Sequence, residues 1–192
     1  MPASTVTEYL AALPPDRGDA LSEVEILERL IRGELIINPI IEPVRQIGPA
    51  SIDIRLGFEF YVLKHTHRDP LTEKEKMTRN LEHHVSRVHV GPAASFVLHP
   101  GEFVLAGTLE YFRIPQDLVG WLEGRSSWGR RGLQVATARC VAQGFEGILT
   151  LELQNTGQGP LRLFPGVRIA QMRFFNANRT AVPYPTKKGA KY

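Results

Sequence analysis

One cysteine, Cys140, stands in 192 residues, which excludes an intrachain disulfide and any zinc site built on several cysteines. Such usage fits a reducing compartment, and a cytoplasmic protein is expected. Long apolar runs are also missing. No window approaches the ~20 consecutive apolar residues that a transmembrane helix needs, and MPASTVTEYLAALPPDRGDA has no basic start followed by an apolar core, so neither a membrane partner nor a secretory signal is expected. Charge of one sign is scarce as well: 23 Lys and Arg face 20 Asp and Glu, for a net charge of +3. That balance accepts an anionic ligand without arguing for nucleic acid as a partner.

Several catalytic frameworks are absent too. There is no G-x-x-x-x-G-K-[ST] loop, no H-x-E…P-C-x-x-C zinc signature and no G-x-S-x-G elbow. Ser126 has no evident His–Asp pair. Hydrolytic chemistry, if present, then falls to general acid–base catalysis by a carboxylate, without a protein-bound metal.

What the chain does contain is mostly strand. Residues 1–20 read as an arm broken by Pro14-Pro15, with a possible helical turn around Tyr9–Leu13. Ser22 and Glu25 then form a capping-box pattern, and Val24, Ile26, Leu27, Leu30 and Ile31 recur at helical spacing. This predicts a helix over 22–32 that stops at Gly33. After Asn38-Pro39 the period becomes two. Residues 51–56 (SIDIRL) alternate, with Asp53 and Arg55 on one face as a structural ion pair or turn anchor, and Phe58, Phe60 and Val62 continue beyond Gly57. Residues 64–90 are polar and predict a surface insertion, whose His65, His67, His83 and His84 read as solvated rather than metal-binding. From Ser95 onward short strands alternate with turns. His99-Pro100-Gly101 and Phe164-Pro165-Gly166 each predict a hairpin, and Pro115-Gln116-Asp117 marks another turn before the strand at Val119–Leu122. One β domain over 21–180 results, a sandwich or barrel, followed by a tail over 181–192.

The stretch 124–155, GRSSWGRRGLQVATARCVAQGFEGILTLELQN, is the most distinctive. Gly124 to Arg131 holds two hydroxyls (Ser126, Ser127) and three arginines (Arg125, Arg130, Arg131) within eight residues, a composition suited to a polyphosphate. Leu149, Leu151 and Leu153 take one strand face, and Thr150, Glu152 and Gln154 the other, so Glu152 points away from the core. Read singly, these residues also fit a solvated strand glutamate, a turn cap and an exposed basic face.

Taken together, Gly124-Arg125-Ser126-Ser127-x-x-Arg130-x-Gly132-Leu133, Thr137-Ala138, Gly144-Phe145-x-Gly147 and Leu151-Glu152 resemble the signature of the dCTP deaminase family of the dUTPase-like superfamily. GELIINP at 33–39, SIDIRLG at 51–57, LHPGE at 98–102, DLVGWL at 117–122, Pro165-Gly166 and Tyr184…Lys191-Tyr192 follow it in the same order. The resemblance implies a distorted jelly-roll or β-clip subunit with one N-terminal helix and short helical turns. It implies a homotrimer with active sites between subunits, and metal-independent hydrolysis of dCTP to dUTP and ammonia. By position, Glu152 is the general acid/base, and Ser126 and Arg130 hold the base, water and phosphates. Backbone near Ala138 orients the water, while Arg125 to Arg130, with Ser127, wrap the triphosphate. Thr150 and Leu151 line the cytosine and sugar, and Tyr184 and Lys191 come from the tail. No catalytic cofactor is implied; Mg²⁺ enters, if at all, on the triphosphate.

The match departs at three places. Ala142 occupies a sugar-side position where the family has aspartate, which argues against diphosphatase chemistry. Cys140 replaces an arginine, and one residue is missing between Gly132 and Thr137. The tail also lacks the glutamine-containing continuation, so a shortened lid and a more open triphosphate are expected. Two alternatives stay open: a catalytically altered nucleotide-binding member, and a dUTP diphosphatase or bifunctional deaminase–diphosphatase.

Overall fold

The computed structural model describes residues 19–64, 85–179 and Tyr184. The arm before residue 19, the four histidines of the predicted insertion and the tail other than Tyr184, Lys191 included, lie outside the described residues.

Helix α1 (Glu23–Ile31) forms for the reasons its sequence carries. Ser22 Oγ accepts from the Glu25 N–H at 3.4 Å and Glu25 Oε2 accepts from the Ser22 N–H at 3.0 Å, which satisfies donors that the first turn leaves unpaired. Glu23 and Glu25 face the positive end of the helix dipole and Arg29 the negative end. Gly33, at φ +68°, ends it. Leu21 and Ile26 are buried against the sheet.

The remainder is a curled ten-stranded sheet and a two-stranded one. The strands are β1 (Ile36–Asn38), β2 (Ile47–Gly48), β3 (Ser51–Leu63), β4 (Val85–His89), β5 (Phe96–Leu98), β6 (Phe103–Arg113), β7 (Leu118–Gly124), β8 (Leu133–Val135), β9 (Cys140–Val141), β10 (Glu146–Asn155), β11 (Leu161–Leu163) and β12 (Arg168–Asn176). Two short helical turns, α2 (Pro43–Gln46) and α3 (Ser126–Gly129), lie between them. The order across the large sheet is β8-β10-β6-β3-β12-β7-β9, with β1 beside β6 and both β2 and β4 beside β3. This is the mainly β architecture that the alternation predicts.

Strand β3 sits at the centre and belongs to two half-sheets. Its first half pairs with β2 and β12, its second with β4 and β6. The change of partner falls at Gly57, where a Cβ would lie 2.8 Å from the Gly107 carbonyl oxygen and 2.9 Å from that of Thr108. Only glycine lets the backbones approach this closely. The core fills the curl with Ile52, Ile54, Phe60, Phe112, Leu151, Leu153 and Phe174, all fully buried. Each such side chain contributes about 1.5–3 kcal/mol on leaving water.

Two expectations need correction. The Pro-Gly turns do not close hairpins. β5 pairs with β11 and not with β6, while β6 and β12 run into the large sheet. Gly101 and Gly166, at φ +80° and +85°, are therefore corners where the chain passes from the small sheet to the large one. The predicted insertion also gives up its last residues: 85–89 form β4 and pair with β3. Asp53 and Arg55 are both ion-paired, as expected of them, but with distant partners. Arg55 pairs with Glu42 at 2.8 Å, and Asp53 pairs with Arg168 and Arg125.

Candidate active site

Strand β10 presents Glu152. Leu149, Leu151 and Leu153 are buried while Thr150, Glu152 and Gln154 are half-buried on the opposite face, so the two-residue period aims the carboxylate out of the core. Its backbone is fixed from both sides. The Glu152 N–H donates to Thr137 Oγ1 at 2.8 Å, and its carbonyl accepts from the Ala136 N–H at 2.8 Å. Thr137 thus holds the strand at the residue that carries the acid. Leu151 is fully buried, so only its backbone can meet a ligand, whereas Thr150 keeps a half-exposed side chain.

The Ser/Arg stretch folds into α3, directly after β7. Arg125 is its N-cap residue, and the turn is fastened to β12 through the Arg125 N–H and the Ile169 carbonyl at 3.2 Å. Trp128 Nε1 adds a bond to the Arg168 carbonyl at 3.1 Å. Asp53, on β3, completes the anchor: its carboxylate lies 3.3 Å from Arg125 Nε and 3.0 Å from Arg168 Nη1. Burial pushes the Asp53 carboxyl up from its ordinary value, and Arg125 and Arg168 pull it back down. Arg125 therefore faces inward with Nε and with Nη1, which reaches the Arg168 carbonyl at 3.5 Å. Nη2 makes no hydrogen bond among the described residues and is the edge left for a ligand.

Chain reversal at Gly132 brings this turn to β10. Gly132 has φ +90° and lies against Gly157, its carbonyl accepts from the Thr156 N–H at 2.8 Å, and β8 then pairs with residues 153–155. Ser126, Ser127 and Arg130 are exposed. Among the described residues, their side chains and that of Glu152 make no hydrogen bond or ion pair. Arg131 is different: its guanidinium stacks over the Trp128 ring at 5.3 Å. The α3 turn thus carries two exposed hydroxyls and an exposed cation, and β10, to which β8 links it, carries a half-buried carboxylate, groups able to hold an anion and to move a proton.

Ala142 and Tyr184 lie elsewhere. Ala142 is in the turn before β10, with its carbonyl accepting from the Phe145 N–H at 3.1 Å. The Tyr184 ring rests on Phe145, centroids 5.7 Å apart. Six residues of β10 separate Glu146 from Glu152, a span of about 20 Å. Within one chain these two groups of predicted residues do not meet.

The dCTP deaminase-like family model matches residues 20–177. The chain belongs to that family. Over 177 residues it is 42% identical to the dCTP deaminase of Haloarcula marismortui, covering 90% of this chain and 88% of that one. Over 174 residues it is 41% identical to the "dCTP deaminase, dUMP-forming" of Dictyoglomus thermophilum, with coverage of 90% and 88%. The solved 2'-deoxycytidine 5'-triphosphate deaminase of Agrobacterium tumefaciens superposes with a TM-score of 0.65 at 22% identity, covering 83% of this chain. The present chain spans about half of that protein (48%), and at this identity the likeness is one of fold.

Asp53 and Arg168 carry the Ser/Arg turn, and Thr137 pins Glu152. Sequence reasoning names Asp53 as an ion pair or turn anchor and Thr137 within the motif without giving either this task, and it does not single out Arg168, an arginine in a strand being too common a signal. No helix among the described residues is long and apolar enough to cross a membrane.

Proposed function

We propose that the chain is a cytoplasmic deaminase that hydrolyses dCTP to dUTP and ammonia, working as a homotrimer. The observation that carries this reading is the placing of Ser126, Arg130 and Glu152, whose side chains have no partner among the described residues, on the turn and strand that β8 joins. Relatives named dCTP deaminase at about 42% identity support the substrate. In the proposed reaction Glu152 takes a proton from water as its oxygen attacks C4 of the cytosine. The tetrahedral centre then collapses as the carboxyl returns the proton to the 4-amino nitrogen, the C4–N bond breaks and ammonia leaves. Acid–base help of this kind contributes about 10²–10⁴-fold. Ser126 and Arg130 hold the base and water, backbone at Ala138 orients the water, and Arg125 to Arg130 with Ser127 take the phosphates. Mg²⁺ arrives, if at all, with the triphosphate.

The separation of Ala142 and Tyr184 from Glu152 supports a site shared between subunits. One chain would contribute the α3–Glu152 group. Its neighbour would contribute the Ala142 side, and tail residues Tyr184 and Lys191 would complete the pocket.

A second reading, in which the dUTP is further cleaved to dUMP and pyrophosphate, is favoured by relatives named dUMP-forming at 41% identity. Ala142 provides no carboxylate for that step. One experiment addresses both readings: purified protein is given dCTP and ammonia and pyrophosphate are measured separately. Ammonia without pyrophosphate, lost in Glu152→Gln with folding intact, is the expected result. No ammonia at saturating dCTP refutes the proposal, and stoichiometric pyrophosphate moves it to the second reading.

A further inference from the structure

Beyond the β8–β10 pairing, the Ser/Arg turn and the strand of Glu152 meet a second time, at the carbonyl of Gly132. Thr156 brings two donors to it. The Thr156 N–H donates to the Gly132 oxygen at 2.8 Å, and the Thr156 hydroxyl donates to the same oxygen at 3.0 Å. Both lone pairs of one carbonyl are thus engaged by one residue. Gly132 is where the chain leaves α3: its N–H donates to the Gly129 carbonyl at 3.0 Å, and β8 begins at Leu133. Thr156 directly follows the last residue of β10. The contact therefore joins the end of one element to the end of the other.

The base beneath Thr156 is firm. Asn155 is fully buried. Its Nδ2 donates to the Leu98 and Gly159 carbonyls, each at 2.9 Å, and its Oδ1 accepts from the Gly157 N–H at 2.9 Å. The turn after β10 is thereby tied down before and after Thr156. Gly157 also lies close against Gly132: a Cβ on Gly157 would be 3.0 Å from the Arg131 carbonyl oxygen and 3.4 Å from the Gly132 Cα. Thr156 itself is exposed. A hydroxyl placed on a carbonyl at the surface adds little to the core; what it holds is the turn that this carbonyl ends.

We propose that Thr156 is a positioning residue, its hydroxyl and N–H clasping the Gly132 carbonyl so that Ser126 and Arg130 keep a fixed place relative to Glu152. The kinetic side of this inference rests on the proposed function, which gives those three residues to the substrate. The clasp stands without it.

Two variants test it. Thr156→Val keeps the branched shape and removes the hydroxyl, whereas Thr156→Ser keeps the hydroxyl and drops the methyl. The first readout needs no nucleotide. It is amide hydrogen exchange, followed by mass spectrometry, across 128–132, where the N–H groups of Trp128, Gly129, Arg130, Arg131 and Gly132 all donate within the turn. Losing one ordinary hydrogen bond is expected to quicken exchange there about fivefold in Thr156→Val, with Thr156→Ser close to the parent. In dCTP turnover, KM is expected to rise about fivefold in Thr156→Val while kcat stays within about twofold, and Thr156→Ser is expected to restore KM. A bond that served stability alone would lower the melting point and leave KM where it was. Exchange across 128–132 that is unchanged in Thr156→Val overturns the proposal. So do equal effects of the two variants, and so does faster exchange with an unchanged KM. If the parent releases no ammonia, the proposed function fails, and the exchange comparison alone decides whether Thr156 holds the turn.

Discussion

Replacing Asp53 with asparagine keeps the side chain's size and removes the one negative charge that two guanidinium groups share. The carboxylate is 13% exposed and lies 3.0 Å from Arg168 and 3.3 Å from Arg125, whose side chains are each 28% exposed. Removing one partner of a buried pair costs about 3–5 kcal/mol because a charge is left without compensation. Both arginines here can turn partly to water, and burial holds the Asp53 carboxyl above its ordinary value despite them, which lowers the expected cost to about 1–2 kcal/mol. For a chain of this size, that is a fall in Tm of roughly 2–8 °C. It should be measured at fixed chain concentration, since assembly would itself raise the melting point. The substitution also frees α3 at its N-cap residue, Arg125, so KM for dCTP should rise on the order of tenfold, with a smaller fall in kcat, as the Ser/Arg turn loses its fixed position. Thermal melts and steady-state kinetics on the same preparation separate the two effects. A Tm within about 1 °C of the parent would show that the anchor is not the one described. A lower Tm with unchanged KM would show that Asp53 supports the fold but not the turn's service to substrate.

Thr137→Val removes the oxygen that accepts the Glu152 N–H, and kcat should fall several-fold with KM little changed; equal kcat in the two proteins refutes the role given to Thr137. Glu110 is fully buried, accepting from the Arg55 N–H and from Gln46, and burial raises its carboxyl from 4.5 to about 7. Its neutral form is the one the fold favours, so the stability it contributes is complete below about pH 4.5 and disappears as pH rises to about 7, on the order of 3 kcal/mol. Urea unfolding from pH 4.5 to 8 should show this loss in the parent and not in Glu110→Gln; parallel curves would refute it. Gly132→Ala should lower stability by about 2–4 kcal/mol in the same assay, since the backbone is at φ +90° and the new Cβ would lie 2.5 Å from Gly157. An unchanged midpoint would contradict this.

Local pattern made some of this legible. The capping box at Ser22 and Glu25, the alternation of Leu149, Leu151 and Leu153, and the outward face of Glu152 are short-range facts, set by the 3.6- and two-residue periods. What escaped was pairing over distance. A Pro-Gly corner says that the chain reverses and does not say which sheet receives the next strand, so β5 and β11 were not read as partners. The strand pattern predicts an ion pair or turn anchor at Asp53 and Arg55, yet the partners of Asp53, Arg125 and Arg168, lie 72 and 115 residues away and no local spacing points to them. At the candidate site, the motif identified the exposed groups, while the residues that hold them in place emerged only from the packing.

The edge position of β4 has a consequence for how the chain can vary. Leu63 and Val85 are opposite one another in the β3–β4 ladder, so the two ends of the intervening segment are already neighbours, and among the described residues β4 pairs only with β3. Any length of chain that bridges such a gap is compatible with the same core. The ladder therefore forms a seam in the molecule, where residues could be added, removed or opened into new termini without changing the register of β10 against β6 and β8.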